Sequence, residues 1–389
     1  MINNIDMGKL TGLGRLLIAV TFFTCGFFVN IAQLFLHIFV KPFDKRLCRG
    51  LMYYLTYSFY CILVCVAEWY AGSKVRVYID PEDEKKYFAK EHGLLLMNHT
   101  YEIDWLTAWM VTDKFGNLGN TKAYAKKMLR YVPILGWVWW MAEFIFLDRN
   151  FDKDKIVIKE QLKVVFSYPD PVWLLLNAEG TRYTAAKHEL SVKFAQERGL
   201  PVLKHHLIPR TKGFTTSLPT LRGICPAIYD INLAFKRDAK VKPSMLSQLN
   251  GETVEPYMYI RRVPLSNVPE DEKEAAAWMQ EFFMEKDRII DSFHETGSFF
   301  KTSGVKEVPM KIYKPRLATL LNFIGWATVC VSCILYYMIT SFIAGNWIGF
   351  FTVISILGLF YGLMEHAVNA SKISKSSSYG ATGEKQAAK

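Results

Sequence analysis

The chain has 389 residues, of which 51% are hydrophobic and 21% charged, and its formal net charge is +11. This combination predicts a folded polar domain joined to membrane segments. The positive charge suits either anionic lipid or nucleic acid, but the chain contains neither a zinc-finger spacing nor a basic repeat, so nucleic acid is not expected as a partner.

The cysteines predict no disulfide framework. Five of the seven lie in strongly apolar segments: Cys25, Cys61, Cys65, Cys330 and Cys333. The last two form a C-x-x-C spacing, but without a second pair or neighbouring histidines the expected role is packing. The bulk of the chain is therefore expected to face a reducing compartment.

Two apolar segments near the N-terminus, residues 16–40 and 51–70, are each long enough to form a membrane helix. A basic loop at 41–50, "KPFDKRLCRG", separates them. No convincing cleavage site accompanies the first segment, so a signal peptide is not expected. We therefore predict an N-terminal membrane helix pair within residues 1–73.

Two further apolar spans, 317–340 and 342–363, predict a C-terminal transmembrane hairpin within residues 311–366. Basic residues flank this hairpin on both sides: Lys311, Lys314, Arg316, Lys372 and Lys375. The positive-inside rule then places both hairpin ends, and with them the region 74–310, in the cytosol. The tail, residues 367–389, is poor in hydrophobic residues and is predicted to be disordered.

The N-terminal pair fits this orientation less well. If both of its segments crossed the bilayer completely, the basic loop 41–50 would lie on the side opposite the cytosolic domain, against the same rule. A re-entrant or surface-lying helix pair would remove the conflict. The sequence leaves both arrangements open.

The middle region, 74–310, alternates strand-like and helical segments. Six short runs have the composition of strands: 74–79, 93–98, 143–148, 172–178, 227–235 and 257–263. Several are continuously apolar, as expected for strands that are covered on both faces. Helical spacing is present at 154–168, 187–199 and 269–297. We therefore predict an α/β domain whose mostly buried sheet is flanked by helices.

A polar pair interrupts the apolar stretch "LLLMNHTYEIDWLTAWM", where four residues separate His99 from Asp104. On one helix the two side chains would point apart, so they can meet only if the chain bends and Asp104 begins the next helix. A carboxylate bonded to one imidazole nitrogen leaves the other free to take a proton, which is a general-base dyad. Taken alone, the spacing also fits a helix-capping Asp and a histidine bonded to backbone.

Basic residues follow other predicted strands. "NAEGTRYT" contributes Glu179, Gly180, Thr181 and Arg182. Gly180 permits close backbone approach, and Arg182 offers a planar fork suited to phosphate. "EFIFLDRN" contributes Arg149, and "AKKMLRYVP" contributes Lys126. Each segment alone also fits an ordinary turn or a solvated surface. Ligands, however, usually bind at the carboxyl ends of such strands. Several strand ends that each carry a basic side chain therefore favour an anion site.

The order of NH-x4-D, F-x-x-R, EGTR and a Pro-bearing segment resembles the 1-acylglycerol-3-phosphate acyltransferases, or lysophosphatidic acid acyltransferases, and most closely their gamma/delta branch. The segments that carry the resemblance are "NHTYEIDW", "AKKMLRYVPILGW", "EGTRYTAAKH", "GLPVLKHHLIPRTKGF" and "DEKEAAAW". The resemblance covers almost the whole chain and implies the glycerolipid acyltransferase fold, with 74–310 as the catalytic domain. Two positions depart from the wider family: Glu143 stands where Gly is usual, and Met128 replaces a common Glu.

The resemblance also implies roles for particular residues. His99 would be the general base and Asp104 its orienting partner. The acceptor site would be formed by Lys126, Arg149, Glu179, Gly180, Thr181 and Arg182. Pro209 would belong to the last motif, which is associated with binding of the acyl donor.

The implied reaction is acylation of lysophosphatidic acid at its sn-2 hydroxyl by acyl-CoA, giving phosphatidic acid, at the endoplasmic reticulum membrane. No G-x-S-x-G elbow or metal cluster is evident, so neither an acyl-enzyme nor a metal or cofactor is expected beside acyl-CoA as co-substrate. The motifs do not set the headgroup, which leaves lysophosphatidylinositol and lysocardiolipin open as acceptors. A non-catalytic lipid-binding protein is the alternative of another class, but it would not require an intact His99–Asp104 pair.

Overall fold

The computed structural model describes residues 7–168 and 170–372. Within these residues the strands are β1 Arg76–Tyr78, β2 Gly93–Met97, β3 Thr121–Lys126, β4 Ile145–Leu147, β5 Trp173–Leu176, β6 Ala227–Ala234, β7 Tyr257–Pro264 and β8 Met310–Ile312. The α-helices are α1 Met7–Phe35, α2 Lys45–Cys65, α3 Pro81–Tyr87, α4 Asp104–Lys114, α5 Leu135–Met141, α6 Phe151–Val165, α7 Ala185–Glu197, α8 Thr211–Leu221, α9 Met245–Leu249, α10 Glu272–Thr296, α11 Leu317–Ile343 and α12 Trp347–Ser371. Helices α1 and α2 each continue into a π-helical turn, Leu36–Val40 and Val66–Tyr70.

All eight strands form one sheet in the order β4-β3-β5-β2-β6-β7-β1-β8. The five neighbouring strands from β4 to β6 are parallel, and β7 is antiparallel to β6. β1 runs parallel to β7, and β8 is antiparallel to β1 at the edge. Because β4, β3, β5 and β2 are parallel neighbours, the loops after them emerge side by side at one edge of the sheet. These loops and strand ends carry the predicted site residues except Pro209, which lies between α7 and α8.

Strand β2 shows how the sheet is covered on both faces. All of its residues are buried, and successive side chains point to opposite faces. Leu95 and Met97 belong to a hydrophobic core that includes residues of α1, α2 and α4. Leu94 and Leu96 belong to a second core, built with α6, α8 and α10. The predicted α/β fold, with a mostly buried sheet flanked by helices, is confirmed.

The N-terminal helices contribute to this core although they are long and apolar enough to cross a membrane. In their most apolar windows 50% and 56% of residues are buried, compared with 11% and 17% in α11 and α12. Tyr60 of α2 stacks on Trp109 of α4, with 3.9 Å between the ring centroids. The N-terminal pair is therefore docked on the sheet domain, whereas the C-terminal hairpin presents most of its surface outward.

The basic segment 41–50, whose second half forms the start of α2, lies beside the α/β domain. Arg49 donates to the carbonyl of Val165 at 2.7 Å, and its guanidinium carbon lies 3.7 Å from the centroid of the Tyr168 ring. At the other end of the pair, Arg15 donates to the side chain of Asn250. Both ends of the N-terminal helix pair thus contact the same domain.

The C-terminal hairpin consists of α11 and α12, and α12 continues past the predicted boundary at 366. Its last residue lies against the α/β domain, where the Ser371 hydroxyl donates to Glu102 at 2.5 Å. Residues 373–389, which make up most of the tail predicted to be disordered, lie outside the described residues.

All six predicted strands and all three predicted helices are present, with ends that differ by a few residues. Strands β3 and β8 were not predicted. β3 reads "TKAYAK", and its lysines break any apolar run, yet Lys122 is buried and donates to the carbonyl of Ala142. β8 is a short strand at the sheet edge, and two of its three residues are exposed. In both strands, tertiary contacts determine the strand where the local pattern does not.

The departure at Glu143 has a backbone explanation. Its φ is +65°, in the left-handed region that glycine adopts readily and that costs other residues roughly 1 kcal/mol. A glycine at this position in the wider family is therefore what the backbone favours. Here the carboxylate forms an ion pair with Arg49 at 2.9 Å, which offsets the strain.

Candidate active site

His99 lies in the loop directly after β2, and Asp104 is the first residue of α4. Nδ1 of His99 lies 3.1 Å from Oδ2 of Asp104, so the predicted bend brings the pair together. Asp104 is 1% exposed, whereas the His99 side chain is 24% exposed. The pair therefore combines a buried carboxylate with an imidazole that a substrate can reach.

The Asp104 carboxylate also accepts the backbone N–H groups of Thr100, at 2.8 Å, and Tyr101, at 3.0 Å. Burial raises the pKa of Asp104 above its ordinary value, while the hydrogen bonds from His99 and the backbone act in the opposite direction. Asp104 thus fixes the loop before α4 and also bonds the imidazole. It does not cap the helix, whose N-cap residue is Ile103, so the alternative of a capping Asp and a backbone-bonded histidine is not what the structure has. With Nδ1 facing the carboxylate, Nε2 is the nitrogen available for proton transfer.

Glu179 follows β5 and is buried. One of its carboxylate oxygens accepts the N–H of His99 and the other accepts the N–H of Leu207, each at 2.9 Å. Burial raises the pKa of Glu179, and nearby His206 opposes this shift. The side chain therefore joins the His99 loop to the segment that carries Pro209, and it shapes the site from behind.

Gly180 is required by the backbone at the end of β5. Its φ is +72°, and an added Cβ would lie 2.9 Å from the Arg210 side chain. Its carbonyl accepts a hydrogen bond from Nη2 of Arg149 at 2.9 Å. This bond links the loops that follow β4 and β5.

Cationic side chains converge at this edge of the sheet: Lys126 at the end of β3, Arg149 after β4, Arg182 after β5 and Lys187 in the first turn of α7. The pKa of Lys126 is lowered mainly by burial and further by the positive charges of Arg149 and Arg182. The pKa of Lys187 is likewise lowered mainly by burial, and further by the charges of Arg182, Lys126 and Arg149. Because each cation disfavours the others, an anion bound among them would be stabilised.

Lys187 and Arg210 were not predicted from the sequence. Lys187 is buried, and its Nζ donates to the hydroxyl of Thr181 and the carbonyl of Arg182, each at 2.9 Å. A cation in the first turn of a helix is disfavoured by the helix dipole. This unfavourable position, shortly after the EGTR segment, is the signal that could have identified Lys187.

The C-terminal hairpin reaches the same place. Nη2 of Arg182 donates to the carbonyl of Ser371 at 2.6 Å, in the last turn of α12. Carbonyls at a helix C-terminus carry partial negative charge, so this one is a favourable partner for a guanidinium.

Pro209 is buried beside the end of β5. Its carbonyl accepts from Gln280 at 3.5 Å, and the N–H of the next residue, Arg210, donates to the carbonyl of Ala178 at 2.7 Å. The Pro209 segment thus borders the EGTR loop. Among the described residues, no group of three or more His, Cys, Asp or Glu side chains is arranged to hold a metal ion.

Two family models match the chain: one described as acyltransferase over residues 78–216, and one described as acyltransferase C-terminus over residues 247–326. The chain is 37% identical over 368 residues to 1-acyl-sn-glycerol-3-phosphate acyltransferase gamma of Homo sapiens, covering 94% of each chain. It is 34% identical over 374 residues to the delta enzyme of Homo sapiens, covering 96% of each. It is 36% identical over 368 residues to the gamma enzyme of Mus musculus, covering 94% of each. No solved structure matches it.

The first family model spans the chain from the last residue of β1 into α8 and so includes every strand end that contributes to the site. The likeness to the gamma and delta enzymes extends over nearly the whole chain, including the four helices long and apolar enough to cross a membrane. The chain is a membrane protein and an enzyme, and it belongs to the 1-acyl-sn-glycerol-3-phosphate acyltransferase family.

Proposed function

We propose that the chain transfers an acyl group from acyl-CoA to the sn-2 hydroxyl of lysophosphatidic acid, producing phosphatidic acid. The observation that carries the proposal is the placement of the His99–Asp104 pair and the cation cluster at the carboxyl ends of neighbouring parallel strands. Lysophosphatidic acid has the two groups that such a site requires, a hydroxyl for the base and a phosphate for the cations. The names of the relatives, which specify 1-acyl-sn-glycerol-3-phosphate, support the same acceptor.

The mechanism is direct acyl transfer. Nε2 of His99 takes the proton of the sn-2 hydroxyl while the hydroxyl oxygen attacks the thioester carbonyl of acyl-CoA. The carbon–sulfur bond then breaks, and the imidazolium returns the proton to the departing CoA thiolate. Asp104 holds the imidazole through Nδ1 and stabilises its protonated form. A general base contributes roughly 10²–10⁴ in rate, and proximity and oxyanion stabilisation contribute the remainder.

The cation cluster holds the acceptor phosphate through Lys126, Arg149 and Arg182, with Lys187 as a further member. The Ser371 carbonyl, which Arg182 contacts in the structure, gives way to the phosphate, because a phosphate accepts stronger charge-assisted hydrogen bonds than a neutral carbonyl. The Pro209 segment, which borders the EGTR loop, lies on the acyl-donor side.

The α/β domain faces the cytosol, where acyl-CoA is dissolved, and the chain resides in the endoplasmic reticulum membrane. The N-terminal helix pair lies in the cytosolic half of the bilayer without crossing it. The contacts of Arg49 with Val165 and Tyr168 support this arrangement, because a fully crossing pair would place the basic loop about 30 Å away, beyond the hydrocarbon core.

The test is steady-state kinetics on the purified protein, with each substrate varied in turn at fixed detergent and lipid composition. Arg182→Ala is expected to raise the acceptor KM roughly ten- to a hundred-fold, because a charge-assisted contact is worth about 1.5–3 kcal/mol. Arg182→Lys should restore only part of this loss, since a point charge cannot reproduce the planar fork. His99→Ala should instead lower kcat by about 10² or more.

Lys159→Ala is the matched control, because this lysine is exposed on α6, away from the predicted site. An unchanged acceptor KM in Arg182→Ala, together with weaker binding of acyl-CoA, would contradict the assignment of Arg182 to the phosphate. A panel of lysophospholipids with one labelled acyl-CoA, analysed by mass, compares lysophosphatidic acid with lysophosphatidylinositol and lysocardiolipin. Greater turnover of either alternative would replace the proposed acceptor.

A further inference from the structure

A second basic pocket lies between the N-terminal helix pair and the amino-terminal ends of β3 and β4. Its ionisable lining includes His37, Lys41, Lys45, Arg49, Lys122 and Glu143. Lys122 precedes Lys126 by four residues in β3, which corresponds to roughly 13 Å along a strand. The pocket is therefore separate from the cation cluster at the carboxyl ends of the strands, and the proposed reaction does not use it.

Two cations lie inside this pocket and are almost completely removed from solvent, since Arg49 is 8% and Lys122 is 5% exposed. Lys122 donates to the carbonyl of Ala142. Arg49 donates to the Val165 carbonyl and forms an ion pair with Glu143 through Nη2. Its Nη1 is buried without a hydrogen-bond partner among the described residues, as are Oε2 of Glu143 and Nδ1 of His37. Buried polar groups of this kind are rarely left unsatisfied, so a further polar group belongs here, and Nη1 requires that group to be an acceptor.

Positive charges outnumber negative charges in the pocket, which also favours a bound anion. Lys41, Lys45, Arg49 and Lys122 are four cations, whereas Glu143 is the one acid among the described residues that line the pocket. Burial and, secondarily, Arg49 lower the pKa of Lys122 to about 7, against the effect of Glu143. Desolvated cations that exceed their counterions are costly, and a bound anion would offset that cost.

The mouth of the pocket has the character of a membrane interface. Lys41 and Lys45 lie on either side of Phe43, which is 89% exposed, and Phe39 is exposed on the preceding turn. Aromatic and basic side chains that project together from the end of an apolar helix are typical of the headgroup region of a bilayer. Phospholipid phosphates are found at this depth.

We propose that this pocket binds a phosphate group, and that the phosphate is supplied by an anionic phospholipid of the surrounding bilayer. Nη1 of Arg49 and the ammonium of Lys122 contact the phosphate inside, and Lys41 and Lys45 contact it at the mouth. The bound lipid would hold the α1–α2 turn against the β3–β4 side of the sheet. A soluble phosphate ester has the same chemistry as the headgroup, and the experiment separates the two sources.

The experiment titrates the full-length protein in detergent with phosphatidylglycerol, or with zwitterionic phosphatidylcholine, and counts bound lipids by native mass spectrometry. Wild type is expected to retain phosphatidylglycerol in preference to phosphatidylcholine. Lys122→Met and the double variant Lys41→Gln/Lys45→Gln should each weaken the retention of phosphatidylglycerol about tenfold. The double variant alters only the mouth, so it remains informative if Lys122→Met folds poorly.

Two controls separate the pocket from other cationic surfaces. Lys155→Gln/Lys159→Gln removes the same charge from the exposed face of α6, away from its end at the pocket, and should leave the binding unchanged, as should Arg182→Ala at the active site. Equal weakening by the α6 variant would reduce the effect to general surface charge and overturn the proposal. Loss of binding in Arg182→Ala but not in the pocket variants would assign the lipid to the active site and also overturn it.

Inorganic phosphate and glycerol 3-phosphate form the last arm of the experiment. If neither displaces phosphatidylglycerol at millimolar concentration, the phospholipid is supported as the source. If either displaces it from wild type, and binds the pocket variants less well, the phosphate pocket stands but the lipid as its source is overturned. Acyl transfer enters none of these measurements, so their outcome does not depend on the proposed function.

Discussion

Two buried carboxylates, Asp104 and Glu179, fix the loop that carries His99. Asp104 accepts the N–H groups of the two residues after His99, and Glu179 accepts the N–H of His99 itself. Asn98 anchors the start of the loop, since its amide both donates to and accepts from the backbone of Leu233 in β6. His99 is thus held through both its imidazole ring and its backbone before any substrate arrives. This is the preorganisation that catalysis requires.

The role of Glu179 in this arrangement can be tested by Glu179→Gln. The amide keeps the shape of the side chain but turns an NH₂ group toward one of the two backbone donors, and leaving a buried donor unsatisfied costs about 1–3 kcal/mol. We expect a lower thermal midpoint and a kcat reduced about tenfold, with an acceptor KM close to wild type, because the cations remain in place. Kinetics and thermal unfolding in the same detergent measure these effects.

Glu189→Gln, an exposed acid on α7, serves as the control for Glu179→Gln and should change neither quantity. A higher acceptor KM in Glu179→Gln at unchanged kcat would show instead that this carboxylate acts on the acceptor.

The elements around the site are positioned by the sheet order, which local sequence does not reveal. In the chain the strands follow one another as β2, β3, β4 and β5, but in the sheet they lie as β4, β3, β5 and β2. The sequence therefore identified polar strand ends without showing that they are neighbours. The apolar runs and the His99–Asp104 spacing were readable because burial and a sharp bend leave local patterns. Lys122 was not, because the carbonyl that accommodates it, that of Ala142, lies outside its own strand. Lys187 is held by nearby residues, and its place in the first turn of a helix is the local signal that was overlooked.

The docking of α2 onto the domain depends on close approach at Gly119. A Cβ added there would lie 2.5 Å from the backbone carbonyl oxygen of Tyr53 in α2, and a helix backbone cannot yield locally. Gly119→Ala is therefore expected to destabilise the protein by about 1–3 kcal/mol. Thermal unfolding in detergent measures this loss.

Gly50→Ala is the matched control for Gly119→Ala, because Gly50 lies in α2, the helix that Gly119 approaches, and its added Cβ meets nothing within 4 Å. It should leave the thermal midpoint unchanged or raise it, since alanine favours a helix by roughly 0.5–1 kcal/mol over glycine. Similar midpoints for the two variants would mean that α2 does not pack against this loop as described.

At the scale of the whole molecule, the long apolar helices and the proposed catalytic residues form one structure. Helices α1 and α2 cover a face of the sheet, and the last turn of α12 contacts Arg182. The native Asn98-His99-Thr100 sequence has the form of an N-glycosylation site, but Asn98 is buried and both polar atoms of its amide are bonded to Leu233. Its lack of sugar would therefore carry no information on which side of the membrane the domain lies.

Orientation can be tested with introduced glycosylation sites. A Gly/Ser-flanked N-x-T insertion after Gly345, in the turn between α11 and α12, should be glycosylated in microsomes, because the basic flanks predict a lumenal position for this turn. The same insertion in the exposed segment 237–240 after β6 should stay unmodified. A third insertion after Phe43 should also stay unmodified if the N-terminal pair does not cross the bilayer. Glycosylation at 237–240 would reverse the proposed orientation. Glycosylation both after Phe43 and after Gly345, but not at 237–240, would show that α1 and α2 span the membrane in spite of the contacts between Arg49 and the α/β domain.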